Sequence, residues 1–178
     1  SCAAGIYILS STNSYLNDYT ADNNSRIGGI LIDSSANSYL NGNTANNNGF
    51  SGIAIFSSTN SYLDGNTANN NESYGIGIFS STDSYLDNNT ANSNESFGVG
   101  IFSSSNSYMD GNTADVNLSG IVIVLSPNTD LNGNTADNNL NYGYEVGGID
   151  DTFSFRDNEC SHNGEGGSSP TGLCGPQP

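Results

Sequence analysis

The sequence predicts an all-β chain, a right-handed parallel β-helix of about seven coils of 22–24 residues. Three observations predict it. A block reading roughly Gly-Ile-x-Ile-Phe-Ser-Ser-Thr-Asn-Ser-Tyr-Leu-Asp-Gly-Asn-Thr-Ala-Asn-Asn-Asn recurs six times in register between Gly5 and Asn139, and a degenerate seventh copy follows. Its apolar anchor falls at Leu16, Leu40, Leu63, Leu86, Met109, Leu131 and Phe155, in steps of 24, 23, 23, 23, 22 and 24 residues. Inside each copy apolar residues alternate with small or polar ones, which is strand periodicity; helical solenoids need longer repeats and helix formers. One copy can bury only two or three aliphatic side chains, too few to offset the entropy of ordering it, so neighbouring copies must stack.

Each coil opens on a strand whose inward positions stack into two columns, Ile6, Ile30, Ile53, Ile76, Val99 and Ile121, then Ile8, Ile32, Ile55, Ile78, Ile101 and Ile123. Phe56, Phe79 and Phe102 follow the second column and are expected either outside or folded into the core at a corner. A Ser-Ser-x-Asn-Ser corner comes next, rich in side chains that mimic backbone turns. The second strand turns its Leu inward and therefore Tyr15, Tyr39, Tyr62, Tyr85 and Tyr108 outward, as an aromatic stripe for subunit packing, for sugar stacking or for stabilising the solenoid itself. Asn43, Asn66, Asn89, Asn112, Asn134 and Asn158 share the following corner, where stacked amides can bond up and down a column. Tyr19 takes this place in the first coil. Thr20, Thr44, Thr67, Thr90, Thr113 and Thr135 come after it, then a small residue that becomes Cys160 in the last coil, and an Asn-rich corner closes the turn.

The series Gly-Ile-x-Ile/Leu, Ser-Ser-x-Asn-x-x-Leu and Gly-Asn-Thr-Ala-Asn-x-Asn, seen best at Gly52–Asn71 and Gly75–Asn94, resembles the NosD-like parallel β-helix repeats. That family is related in shape to pectate lyases and is abundant in surface proteins, of sheath or S-layer type, of methanogenic archaea. The resemblance covers about residues 5 to 163. It implies the fold and a cell-surface setting. The family includes periplasmic copper-binding proteins, but with one His and one Met in unlike coil positions the chain carries no copper site over.

Composition narrows the function. Residues 1–163 form the repeat domain, and 164–178 a Gly/Ser/Pro-rich tail containing Cys174. Eighteen acidic residues stand against two basic ones, Arg26 and Arg156, for a net charge of −16, which argues against nucleic acid and anionic membranes. No stretch is apolar for long enough to span a membrane, and no signal peptide opens the chain, so that if it is secreted the sequence is expected to be the mature form. Sequons begin at Asn23, Asn71, Asn88, Asn94 and Asn117, and three of these step by 23 residues along one corner, making them glycosylation candidates. Cysteines occur only towards the extremities, at Cys2, Cys160 and Cys174. Cys160 and Cys174 can close a loop that pins the tail over the end of the helix. Cys2 is then left for an intermolecular bond, unless it is simply a small buried residue or a processed lipid-attachment site.

These features favour an extracellular structural protein that polymerises into a filament, sheath or layer through end-to-end stacking of coils and terminal disulfides, its partner being itself. A glycan-binding adhesion module is the alternative, and the Thr column invites comparison with ice-binding faces. A polygalacturonase-like hydrolase is the third reading. Asn128-Thr129-Asp130, Asp150-Asp151 and His162 resemble that family's order, but its Gly-His-Gly and Arg-Ile-Lys segments are missing, so the chain is expected not to be an enzyme. No cofactor is expected. Asp64, Asp87 and Asp110 form a like-charge row that solvent would screen or Ca²⁺ would share, although calcium needs about six or more converging oxygens.

Overall fold

The computed structural model describes residues 4–148 and 153–175, and Cys2, Asp150 and Asp151 lie outside them. Fifteen strands follow in chain order: β1 (Ala4–Leu9), β2 (Thr12–Asn17), β3 (Gly28–Asp33), β4 (Ala36–Asn41), β5 (Ser51–Phe56), β6 (Thr59–Asp64), β7 (Ile76–Phe79), β8 (Thr82–Asp87), β9 (Phe97–Phe102), β10 (Tyr108–Asp110), β11 (Ser119–Val124), β12 (Asp130–Asn132), β13 (Tyr142–Gly147), β14 (Ser154–Arg156) and β15 (Gly166–Ser169). Odd-numbered strands form one eight-stranded parallel sheet and even-numbered strands a seven-stranded one. Each strand pairs with its equivalent one coil away, Ile30 with Ile53 and Leu40 with Leu63, so the sequence period is the strand register. Single bridges between successive threonines, from Thr20↔Thr44 to Thr113↔Thr135, mark the third side, and their half-buried single row is ladder contact.

The coil turns its corners with residues in the left-handed region, at matching places in successive coils. Ser10, Ser34, Ser57, Ser80 and Ser103 turn the first corner, Gly42, Gly65, Asn88, Gly111 and Gly133 the second, and Asn23, Asn47, Asn70, Ser93 and Asn138 the third. Asn, Ser and Gly tolerate that conformation, which is why the corners are written in them. Val116 and Leu125 hold the same conformation with bulky side chains.

The core consists of the two Ile columns and the Leu column, closed on the third side by Ala21, Ala45, Ala68, Ala91, Ala114 and Ala136. Tyr144 takes the Ile place in the last full coil, fully buried, and its hydroxyl donates to the Asn134 carbonyl at 2.7 Å. The tail differs from its sequence reading. Gly166–Ser169 is an eighth strand of the first sheet, paired with β13, and Leu173 and Cys174 pack against the end of the core. Cys160 and Cys174 are joined by a disulfide with Cα atoms 5.9 Å apart.

Candidate functional site

Three kinds of polar column run the length of the solenoid. At the second corner, Asn66 Nδ2 donates to Asn89 Oδ1 and to the Leu40 carbonyl, both at 2.9 Å, while Asn66 Oδ1 accepts from the backbone N–H and Nδ2 of Asn43. All four hydrogen-bonding positions of the amide are filled, the pattern repeats at Asn89, Asn112 and Asn134, and Asn43 and Asn158 end the ladder. A second buried ladder, Asn48, Asn71, Asn94, Asn117 and Asn139, runs along the third corner, with Asn71 Nδ2 donating to Asn94 Oδ1 at 3.0 Å. This ladder went unread in the sequence, where three of its members counted as sequons. The structure corrects that reading: Asn71, Asn94 and Asn117 are buried and their amides are committed, so a glycan on Nδ2 would break the ladder. Asn23 and Asn88 are exposed. The third column is Ser35, Ser58, Ser81, Ser104 and Ser126, whose hydroxyls donate to nearby carbonyls while the next backbone N–H donates to them.

The two sheets present unlike outer faces. On the second, three outward columns lie side by side: an amide row, the tyrosines, and Asp64, Asp87 and Asp110 flanked by Asn17, Asn41 and Asn132. In the amide row Asn60 Nδ2 donates to Asn37 Oδ1 at 3.1 Å. The rings of Tyr15, Tyr39, Tyr62 and Tyr85 stack on one another, with centroids 4.8–4.9 Å apart and planes within 6°. The faces between neighbouring rings are therefore occupied, and within the stack edges and hydroxyls reach solvent. Partial burial, then Asp64 and Asp110 on either side, hold the Asp87 carboxyl above its ordinary range, against a backbone hydrogen bond from Asn88 that lowers it.

Near the far end the columns change. Asp130 takes the tyrosine place and Arg156 the place after the anchor, and Arg156 Nη2 meets Asp130 Oδ2 at 3.4 Å. Partial burial and the charges of Asp110 and Asp130 push the neighbouring Tyr108 hydroxyl up, partly offset by Arg156. A shallow cleft of about 280 Å³ opens beside Asp130, lined by Asn128, Thr129, Phe153 and Ser154. His162 is on the third corner, in the Val116 column, so the structure does not bring it to Asp130. Asn128 belongs to the amide row and Thr129 is buried, donating to the Ser126 carbonyl at 2.8 Å. Among the described residues no three His, Cys, Asp or Glu side chains converge as metal ligands, and the aspartate row stays a row.

The first sheet's outer face is apolar over its middle strands, β5 to β11, with Asp33 on β3 and Glu145 on β13 at either side. Tyr7, Leu31, Ala54, Gly77, Gly100 and Val122 form one outward column, and Leu9, Asp33, Phe56, Phe79, Phe102 and Val124 the next. The Phe residues point outward, which settles the choice left open by the sequence. Phe56, Phe79 and Phe102 stack at 4.8 and 5.3 Å, Tyr74 stacks on Phe97 at 4.9 Å, and the two stacks meet at tilted angles over Gly77 and Gly100. A Cβ at Gly77 would fall 2.5 Å from the Phe79 ring, so glycine is what lets the rings lie down.

Residues 4–160 match the family of right-handed β-helix regions. A comparison with curated proteins finds no match. Among solved structures, the chain is similar to the periplasmic alginate epimerase AlgG (T265N mutant), with a TM-score of 0.78 and 19% identity over 88% of this chain and 42% of that one. It is also similar to the A-module of the Azotobacter vinelandii mannuronan C-5 epimerase AlgE4, with a TM-score of 0.63 and 18% identity over 94% of this chain and 55% of that one. The chain thus spans about half the length of these structures, and at such identity the likeness carries the fold alone. It nevertheless overturns the expectation that the chain is not an enzyme. Epimerases are built on this same solenoid, so lacking a hydrolase motif is no ground for excluding catalysis. No helix is long and apolar enough to cross a membrane, and the disulfide is a bond typical of oxidising compartments. With its two parallel sheets, stacked ladders and family match over residues 4–160, the chain belongs to the right-handed β-helix family.

Proposed function

We propose that this solenoid is an extracellular structural protein that self-associates at a cell surface, its copies packing side by side through the first sheet. The observation that carries the reading is where the exposed aliphatic and phenylalanine side chains lie. Tyr7, Leu9, Ile27, Phe50, Leu118, Leu125 and Leu140 lie on the first sheet's outer face or its two flanking corners, and the outward residues of β5, β7, β9 and β11 carry no charge. In a chain of net charge −16, this uncharged stretch between Asp33 on β3 and Glu145 on β13 lets a second copy sit without apposing carboxylates. The NosD-like resemblance and the cysteines near the extremities support a sheath, filament or layer, with end-to-end stacking of coils adding length. Sedimentation velocity over a range of concentration tests it. Oligomers that dissolve on Val124→Glu or Leu140→Glu support lateral packing, and a wild-type chain that stays monomeric throughout overturns it.

Glycan binding is a second reading, favoured by the rows of amides and phenol hydroxyls on the second sheet. Because the faces within the stack of Tyr15, Tyr39, Tyr62 and Tyr85 are covered by one another, recognition along it would run through hydrogen bonds to sugar hydroxyls. A glycan array probed with the wild type and with Asn60→Ala checks it.

A further inference from the structure

We infer that the solenoid encloses a single file of ordered water molecules along its second sheet, held by Ser38, Ser61, Ser84 and Ser107. These serines stand two residues before the Leu anchor on the same inward face and are buried, and none of their Oγ atoms has a hydrogen-bond partner among the protein's own groups. Apart from one carboxylate oxygen of Asp130, they are the only buried side-chain polar atoms among the described residues of which this is true. In every other interior polar column described above each buried side-chain polar atom has at least one protein partner. A hydroxyl sealed from water without a partner is costly, and alanine, which the chain uses for its small core column, would fill nearly the same space without that cost. The repeated serine therefore calls for a partner.

Geometry identifies it. Ser38 pairs with Ser61 and Ser61 with Ser84 in strict register, so equivalent oxygens are ~4.8 Å apart. That is too far for a direct bond between hydroxyls, which needs ~2.8 Å. An oxygen ~2.8 Å from two others ~4.8 Å apart sits only ~1.4 Å off the line between them, which is the place of one bridging water per coil step. Each serine then donates to the water on one side and accepts from the water on the other, giving every hydroxyl within the file two partners and every water two hydrogen bonds, the lower end of what a buried water makes. The file has defined ends. Ser14, half-buried in the first coil, continues it at one end. At the other the next place is Thr129, whose hydroxyl turns aside to the Ser126 carbonyl, and after it Phe153, packed against the core as a plug.

Oxygen-17 relaxation dispersion of solvent water on the full chain counts long-lived internal waters, and thermal melts report what the hydroxyls do for stability. The expected result is a dispersion that loses the amplitude of at least two waters in Ser61→Ala/Ser84→Ala, with a lower melting midpoint. Ser58→Ala, whose hydroxyl already has protein partners, should leave the dispersion unchanged and so separates a water site from general loosening. A wild type with no long-lived waters, a dispersion unmoved by the double variant, or a double variant that melts higher would each overturn the proposal.

Discussion

Individual residues in this solenoid act through repetition, so a single substitution is felt by two neighbours. Asn89 is the clearest case. Its amide receives the backbone and side-chain N–H groups of Asn66 and donates to Asn112 and to the Leu63 carbonyl, all buried. Asn89→Ala leaves several of these groups unpartnered and should cost about 3 kcal/mol or more in chemical denaturation, against little for Asn88→Gly, since glycine holds this left-handed corner in other coils. Val116 runs the other way. It holds φ near 62° where Asn47, Asn70 and Asn138 stand in other coils, so Val116→Asn should stabilise by about 1 kcal/mol. The sign at Asp87 follows from its raised carboxyl. The folded chain binds that proton more tightly than the unfolded chain, so the group's contribution worsens as pH rises through the folded value and is relieved on acidification. Asp87→Asn should therefore melt higher than the wild type at neutral pH, and the gap should close by about pH 3, where both states of an ordinary carboxyl are protonated. A gap that persists in acid would mean that charge is not its cause.

Elements were legible in the sequence to the extent that they repeat. The two Ile columns, the Leu column and the first Asn corner follow from the 22–24-residue step, because in a parallel solenoid that step is the hydrogen-bond register itself. The same step carried the second Asn ladder, but a sequon pattern lay over it and drew the reading to glycans. Only burial distinguishes the two. β15 was not legible at all, since Gly-Gly-Ser-Ser has no strand pattern; it is a strand because β13 offers it an edge and the disulfide brings the tail back. Nor was the Asp130–Arg156 pair, which arises where two columns change identity in successive coils. The tail's dependence on the bridge can be measured. Cys160–Cys174 spans 14 residues, a loop for which chain entropy gives about 3 kcal/mol. Reduction, or Cys174→Ser, should therefore speed amide exchange in β14 and β15 while leaving β5 to β9 protected. Uniform loss of protection would show that the coils unfold as one unit.

At the scale of the molecule, two opposed terms decide whether copies associate. The apolar outer face of the first sheet favours contact, and sixteen net negative charges oppose it. Acidic residues on the second sheet lie roughly a solenoid's width from a contact made by the first sheet, so their repulsion between two copies acts over distances comparable with the Debye length. That length is ~30 Å at ~0.01 M salt and ~8 Å at ~0.15 M, so dilute buffer leaves the repulsion in force and physiological salt removes much of it. Burial of apolar surface has no such dependence. Association through the first sheet should accordingly strengthen as salt is raised from ~0.01 to ~0.15 M. Val124→Glu should abolish it at both, because it places a carboxylate inside the contact, where screening is weak. Contacts made through the acidic second sheet would also gain from salt but would be indifferent to Val124→Glu. Sedimentation of the two proteins at the two salt concentrations therefore identifies which face of the solenoid meets its copy.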